Sequence, residues 1–333
     1  MAELEWGNRD NLFNGLKAKA PDGSILDLTY RYIEMNPLLR IFPSYPANGL
    51  NGMSHTGFRW ISEVTPTVSV IGGGISSSIA QGQNFTEDMV LLESRYQVPV
   101  SVLEHWGPLA STWRSAQEQI HEKSMQRAWT STIIRGTAAT STTRINGLRN
   151  RAPWNAVTAD YCYDMGGGAS NLRSMWLVNP GPTTAHLIHN PNLPTLGVSR
   201  TPQPKQLVTV TDTDANGSGT RWDEFTDFKF EQGLCVYDNM CIKHLANNAY
   251  TDAVTASTFN TIIEARTIHS NYMVGQWYLL VDPRMYINLI NYRQTINNVQ
   301  FSSDNPWGVS LPMIGDIIIL NIEALNYAET QVT

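Results

Sequence analysis

The sequence predicts an α+β fold with projecting parts, and three observations carry that reading. Residues 109–135 contain no Gly or Pro, so Gly107-Pro108 and Gly136 bracket one long helix, expected over 108–135. Stretches rich in Val, Ile, Thr and aromatics, bounded by Gly, Pro and Asn, recur over 56–92 and 174–211, which is the pattern of strands and turns. Ten Trp, thirteen Tyr and nine Phe lie on a 333-residue chain of which only 16% is charged. An average soluble domain carries roughly 25% charged residues, so much of this surface is expected to be covered.

In chain order, residues 1–50 are broken at Pro21, Pro37, Pro43 and Pro46, with Leu38, Leu39, Ile41, Phe42 and Tyr45 between the breaks. An arm laid across another surface fits this better than a self-contained domain. From Thr56 to Ile71 a strand-like stretch leads to Gly72-Gly73-Gly74 and Ser76-Ser77-Ser78, and Asn84 to Leu92 returns. Residues 56–92 therefore read as a two-stranded excursion with a mobile tip. Tyr96, Val98, Val100 and Val102 alternate with other residues, predicting a half-buried strand that Pro99 confines to an edge or bulge. The long helix follows. Leu109, Trp113, Ala116 and Ile120, then Ala128, Trp129 and Ile133, mark its expected apolar face, and at ~1.5 Å per residue it extends roughly 40 Å.

Strands over 174–178, 184–188 and 206–211 come next, separated by turns such as Asn179-Pro180-Gly181-Pro182. Ser257 is the expected cap of a helix carrying Phe259, Ile262 and Ile263. Gln276 to Val281 reads as a strand, and Asp282-Pro283 starts a helix towards Arg293. Ile317 to Leu320, following Gly315-Asp316, is a continuous apolar strand of the kind buried on both faces.

Twenty-three Lys plus Arg against 29 Asp plus Glu leave a net charge of −6, which excludes a protein whose main work is neutralising nucleic-acid phosphates. Cys162, Cys235 and Cys241 have no close pairing, so reduced thiols are expected rather than a disulfide framework or zinc cluster. The opening residues lack the basic-then-apolar order of a signal peptide, and no apolar run nears ~18 residues, so cytoplasmic synthesis and no membrane contact are expected.

Chemical motifs are few. His186 and His189 on a strand point to opposite faces, and His121-Glu122 reads as a solvated helix face. Asp212-Thr213-Asp214-Ala215-Asn216-Gly217 copies half of a calcium loop with Asp223 at the twelfth position, but a strand precedes it, and Asn216-Gly217 also suits a polar hairpin tip. No catalytic, cofactor or metal residue is assigned. The chain reads as a non-enzyme, rich in contact area, whose protruding ribbon and arm need neighbours.

The order of elements resembles that of tailed-phage major capsid proteins of the Hong Kong 97 fold, particularly those of short-tailed phages. Gly57-Phe58-Arg59-Trp60-Ile61-Ser62, continuing through Pro66-Thr67-Val68 and Gly73 to Ser78 and on to Glu87 and Leu91-Leu92-Glu93, is similar to that family's extended loop. Trp113-Arg114 to Arg135-Gly136-Thr137 with Ile145-Asn146-Gly147-Leu148 resembles its spine helix. Met175 to Val178, His186 to His189, Val210-Thr211-Asp212, Phe225, Gly233-Leu234, Val236 and Asp238 resemble its axial domain. His105-Trp106-Gly107 and the Cys235 and Cys241 pair have no counterpart in that pattern.

The resemblance implies an N-terminal arm over 1–55, an extended loop over 56–93, a peripheral domain over 94–152 with spine helix 108–135, an axial domain over 153–305 and C-terminal strands over 306–333. It further implies self-assembly into hexamers and pentamers of an icosahedral virion shell, built in the host cytoplasm with scaffolding, portal and cement or decoration proteins around double-stranded DNA held non-specifically. Some relatives weld subunits through a Lys in the extended loop. Residues 50–100 hold no Lys, so a shell without covalent cross-links is expected. Subunit contacts are expected at Phe42, Tyr45, Phe58, Arg59, Trp60, Phe85, Trp113, Arg144, Arg149 and Arg151, the three arginines being a patch for a subunit interface or solvent rather than for DNA. The alternatives are a cargo-enclosing nanocompartment shell of the same fold and an unrelated β-rich binding module or hydrolase.

Overall fold

The computed structural model describes residues 36–333 apart from 50–51, 63, 69, 75–76, 139–144, 159, 169–170, 194–196, 212–217, 250–253, 269–274 and 297–311. The first elements are α1 (Pro37–Ile41), β1 (Ser44–Pro46), the ribbon strands β2 (Ser54–Ser62) and β3 (Gln81–Asp88), β4 (Val90–Pro99), α2 (Val100–Trp106) and the long α3 (Ala110–Arg135). Then come β5 (Cys162–Asp164), β6 (Leu172–Val178), β7 (Ala185–His189), β8 (Val198–Thr211), β9 (Ser218–Val236) and β10 (Ile242–Ala249). The chain ends with α4 (Ala256–Thr267), β11 (Tyr278–Val281), α5 (Pro283–Ile296), β12 (Met313–Ile314) and β13 (Ile317–Asn321).

Among the described residues three sheets result. One is ordered β1-β7-β9-β4 with β8 also on β9, the second is β12-β13-β11-β6-β10-β5, and β2-β3 stands alone as a ribbon. The six-stranded sheet is covered on both faces. Met175, Leu177, Leu279, Val281, Ile317 and Ile319 pack with Ile262 of α4 and with Met285 and Leu289 of α5. Their neighbours Trp176, Val178, Tyr278, Leu280, Ile318 and Leu320 join Trp129 and Ile133 of α3 in the main core. The apolar run 317–320 is thus buried on both sides as expected, and β13 runs parallel to β11 after the α5 crossover.

Several expectations need correction. Of the first fifty residues, 1–35 and 50 lie outside the described set, but Leu38, Ile41 and Phe42 are buried in this chain's own core and β1 pairs with β7. The alternation over 96–102 is a strand only to Pro99, paired with Asp223. Pro99, at φ −62°, then caps α2, its fixed backbone suiting the position before a first helical turn. Gly107–Leu109 is a separate 3₁₀ turn, so α3 starts at Ala110 and not at 108. Thr255, rather than Ser257, caps α4 through a reciprocal pair with Thr258, while Asp282 Oδ1 does accept from Met285 N at 2.7 Å.

The largest correction concerns which face of α3 turns inward. Leu109 before it and Ile120 within it are 51% and 62% exposed, whereas Glu118, Glu122 and Gln126 are buried. Glu118 accepts from Arg114 Nε at 3.1 Å, from Thr226 Oγ1 at 2.8 Å and from Arg200, and Arg114 also pairs with Glu224. His121, expected on a solvated face with Glu122, lies 3.0 Å from Ser94 Oγ and stacks on Phe228. A polar stripe can face a sheet when each charge meets a partner there, and β8 and β9 supply those partners.

β9 is the longest strand and organises its sheet. β4 pairs with it over Asp223–Gln232 on one side, and β8 and then β7 lie on the other. β8 is longer than the expected 206–211. Pro202 and Pro204 are tolerated in it because it is an edge strand whose register shifts between Gln203 and Gln206.

Candidate assembly surfaces

The ribbon β2-β3 has two unlike faces. Its antiparallel register sets Gly57 opposite Phe85 and Trp60 opposite Gly82, so alternation puts Gly57, Arg59, Phe85 and Glu87 on one side and Phe58 and Trp60 on the other. The first side turns to the body. The Phe85 ring lies across Gly57, where a Cβ would come within 2.5 Å of it, and meets Tyr237 edge-on at 5.2 Å. Arg59 sits 5.2 Å from the Phe85 ring centre and donates to Asn239 Oδ1 at 3.1 Å. Glu87 pairs with Arg151 at 2.8 Å; burial pushes its carboxyl above the usual range, although Arg151 and Arg59 pull it down.

The other side faces away. Phe58 and Trp60 meet edge to face at 5.0 Å, Phe58 lies so close over Gly82 that any Cβ there would collide with its ring, and Trp60 is 68% exposed. Towards the tip, Val68, Val70, Ile71 and Ile79 are all exposed. Fully covering such side chains is worth about 1.5 to 3 kcal/mol each, and a row of this length on one ribbon has no use for a chain that stays alone.

A second ribbon extends the hairpin expected at Asn216-Gly217, with a longer β8 and a return strand β9 that the sequence reading lacked. Beyond Asp223, β9 is held only by β8, and there Leu207 faces Trp222 directly across the pair, each 56% exposed. The calcium-like segment belongs to this hairpin. Residues 212–217 lie outside the described set, but Thr211 pairs with Ser218 across them. Asp223, the expected twelfth ligand, is buried and accepts from Arg221 Nε at 2.9 Å and Gln97 Nε2 at 2.5 Å.

The other expected contact residues are scattered. Tyr45 is partly exposed and sits edge-on to His186 at 4.9 Å, and Trp113 is half-buried against the main core. Phe42 and Phe85 are covered by the chain's own residues, so neither offers a face to a neighbour. The arginine patch is used internally as well. Arg149 lies 3.3 Å from Glu329 and donates to the Thr330 carbonyl at 2.9 Å, and Arg151 is taken by Glu87; Arg144 lies outside the described residues. Arg59, Glu87, Asp88 and Arg151 line a polar cleft of about 400 Å³ at the ribbon root. Its charges are matched, and among the described residues no nucleophile with a base beside it lines the cleft.

One row of side chains imitates a hydrolase. Ser174 Oγ lies 2.6 Å from His244 Nε2 and 2.5 Å from Glu329 Oε2. The roles do not fit, because His244 Nδ1 faces the Trp154 carbonyl at 2.8 Å and not a carboxylate, and all three residues are buried. The ring stacks on Trp176 at 4.1 Å, and burial lowers the His244 imidazole to about 4. This row fastens the C-terminal segment to the sheet. Between about pH 6.5 and 4 the unfolded chain binds a proton that folded His244 refuses, so stability is full above pH 6.5 and falls on acidification, by about 3 kcal/mol from this group. His55, His186 and His189, also lowered by burial, add in the same sense, while Glu87 opposes them. Urea midpoints measured from pH 7.5 to 4 are expected to fall steadily below pH 6.5, and a flat profile would contradict the assignment.

Comparison with known proteins completes the description. The family model of major capsid protein GP7 matches residues 21–333. A chain of bacteriophage epsilon15 superposes with a TM-score of 0.61 at 16% identity, covering 87% of this chain and 88% of that one. The bacteriophage JBD30 capsid matches at a TM-score of 0.47 and 10% identity over 86% and 90%. An encapsulin from Synechococcus elongatus matches at 0.41 and 11% over 66% and 89%. No curated protein sequence matches. The likeness to the epsilon15 chain gives the fold, a Hong Kong 97-like arrangement of mixed helix and sheet.

Proposed function

This chain belongs to the major capsid protein GP7 family, and from that premise we propose that its two exposed ribbons join copies into hexamers and pentamers of an icosahedral virion shell. The observation that carries the proposal is the outward row of Phe58, Trp60 and the apolar tip of β2-β3, with Leu207 and Trp222 on the second ribbon. Assembly in a host cytoplasm on a scaffolding protein, with a portal and a cement protein, follows from the same reading. The family speaks for a virion shell rather than a cargo compartment or a hydrolase.

The shell closes without a covalent weld. Residues 50–100 contain no Lys, and the described lysines of the sheets are engaged within the chain: Lys205 with Glu224, Lys229 with Glu93 and buried Lys243 with the Asp160 carbonyl. DNA is held loosely through counterions, since the net charge is −6 and Arg149 and Arg151 are already paired. Electron microscopy of the full chain, expressed alone and with its neighbouring genes, tests the shell. Closed particles that boil in denaturant and reductant to a monomer-sized band are expected. A chain solitary under every condition overturns the shell reading, and a ladder of linked species overturns the non-covalent closure.

A further inference from the structure

We propose that His55, His186 and Cys235 form a zinc-binding site at the root of the β2-β3 ribbon. Three strands distant in sequence bring these residues together: β2 of the ribbon, and β7 and β9 of the five-stranded sheet. His186 and Cys235 are direct cross-strand partners, so their side chains share a face. One ligand atom from each of the three lies within 4.8 Å of the other two, and all three residues are buried.

Two unpartnered atoms point to a missing ligand. Nδ1 of His55 and Nδ1 of His186 are both buried without a hydrogen-bond partner, in residues 8% and 4% exposed. Buried polar atoms in native folds usually find a partner, and these two belong to rings of the cluster that holds the Cys235 thiol. The opposite side of the His55 ring is already oriented: its Nε2 lies 2.9 Å from Tyr237 Oη. A proton donated there leaves the Nδ1 lone pair free to coordinate, which is how metal-binding histidines are usually aimed. The backbone of Gly181 and Pro182 also lies close to the His186 ring.

The donor set selects the ion. Two imidazoles and a thiolate suit a borderline-soft cation that accepts tetrahedral geometry, and the cluster offers none of the oxygen ligands that calcium or magnesium require. Zinc bonds of about 2.0 to 2.3 Å set tetrahedral ligands roughly 3.5 Å apart, so the cluster, with its ligand atoms within 4.8 Å of one another, needs to close by about 1.3 Å at most. Ala47, Phe85, Met89 and Ile188 pack around Cys235 and keep bulk solvent away from it. Three protein ligands leave the fourth position for a water. An ion there would clip β2 to the sheet and fix the angle at which the ribbon leaves the body.

The test uses the untagged full chain, reduced, stripped with EDTA, reloaded with zinc and dialysed. About one zinc per chain is expected by mass spectrometry, with Cys235→Ser or His186→Asn holding at least tenfold less. Cobalt in place of zinc is expected to give a near-ultraviolet thiolate-to-metal band, absent from Cys235→Ser, and zinc is expected to raise the unfolding temperature of the unsubstituted chain. Less than about 0.1 zinc per chain together with no cobalt-thiolate band overturns the site whether or not the variants fold. Particle formation is scored separately, so failure of the metal site and failure of the shell reading remain distinct.

Discussion

Glu118→Ala is expected to lower the stability of the folded chain by about 3 kcal/mol, a large share of the 5 to 15 kcal/mol typical of a native domain. The carboxylate is 4% exposed and is the common acceptor of Arg114, Arg200 and Thr226. Removing it leaves Arg200 without its carboxylate and Arg114 with Glu224 and Thr226 alone, between α3 and the β8-β9 hairpin. Arg200 retains 39% side-chain exposure and Arg114 23%, so water takes up part of the loss, which keeps the estimate at the lower end of the range for a broken buried pair. Glu118→Gln keeps the volume and loses the charge, and is expected to fall between the two. Replacing Glu118, Arg114 and Arg200 together by Met leaves no charge unpaired there and is expected to recover most of the stability. Urea titrations of the four proteins decide the matter; Glu118→Ala within about 0.5 kcal/mol of the parent would show that the network contributes nothing.

The same network explains where the sequence could be read and where it could not. A helix over most of 108–135 follows from local facts, the absence of Gly and Pro between two breakers. Its inward face follows only in its second half, where Trp129 and Ile133 are buried as expected; in the first half Ile120 and Leu109 are apolar by composition yet exposed, while the partners that admit Glu118 come from Arg200 and Thr226, dozens of residues further on. Periodicity counts hydrophobicity; it cannot count a charge satisfied from afar. The β2-β3 ribbon was legible because Phe58, Trp60 and the Gly72 turn advertise an exposed hairpin within 40 residues. β9 was not, since Asp223, Asp227 and Lys229 interrupt its aromatics, and their partners Gln97, Arg95 and Glu93 come from β4, more than a hundred residues earlier. Arg149 and Arg151 likewise look like a free basic patch until Glu329 and Glu87 arrive from other parts of the chain. The His55, His186 and Cys235 cluster has no spacing signature at all, because strand pairing alone assembles it.

Phe58→Ser combined with Trp60→Ser is expected to abolish particles while leaving the chain folded. The two rings touch each other and the backbone at Gly82, and both are largely exposed in the isolated chain. Surface substitutions of this kind shift folding stability by about 0.5 kcal/mol or less. In a shell the balance differs. If a neighbouring copy covers both rings, each contact loses about 3 to 6 kcal/mol, and every 1.4 kcal/mol is a tenfold change in an association constant. Each copy would both give this contact and receive it, so the concentration at which shells appear is expected to rise by at least about 100-fold, beyond the reach of ordinary expression. Trp222→Ser, on the second ribbon, removes one ring and is expected to raise that threshold less. Light scattering against concentration, followed by electron microscopy, reads the threshold, and a urea midpoint equal to that of the parent confirms the fold. Wild-type particle yield from the double variant would mean that the outward aromatic face is not where copies meet, and would move the interface to Leu207 and Trp222 or to the exposed tip around Ile71.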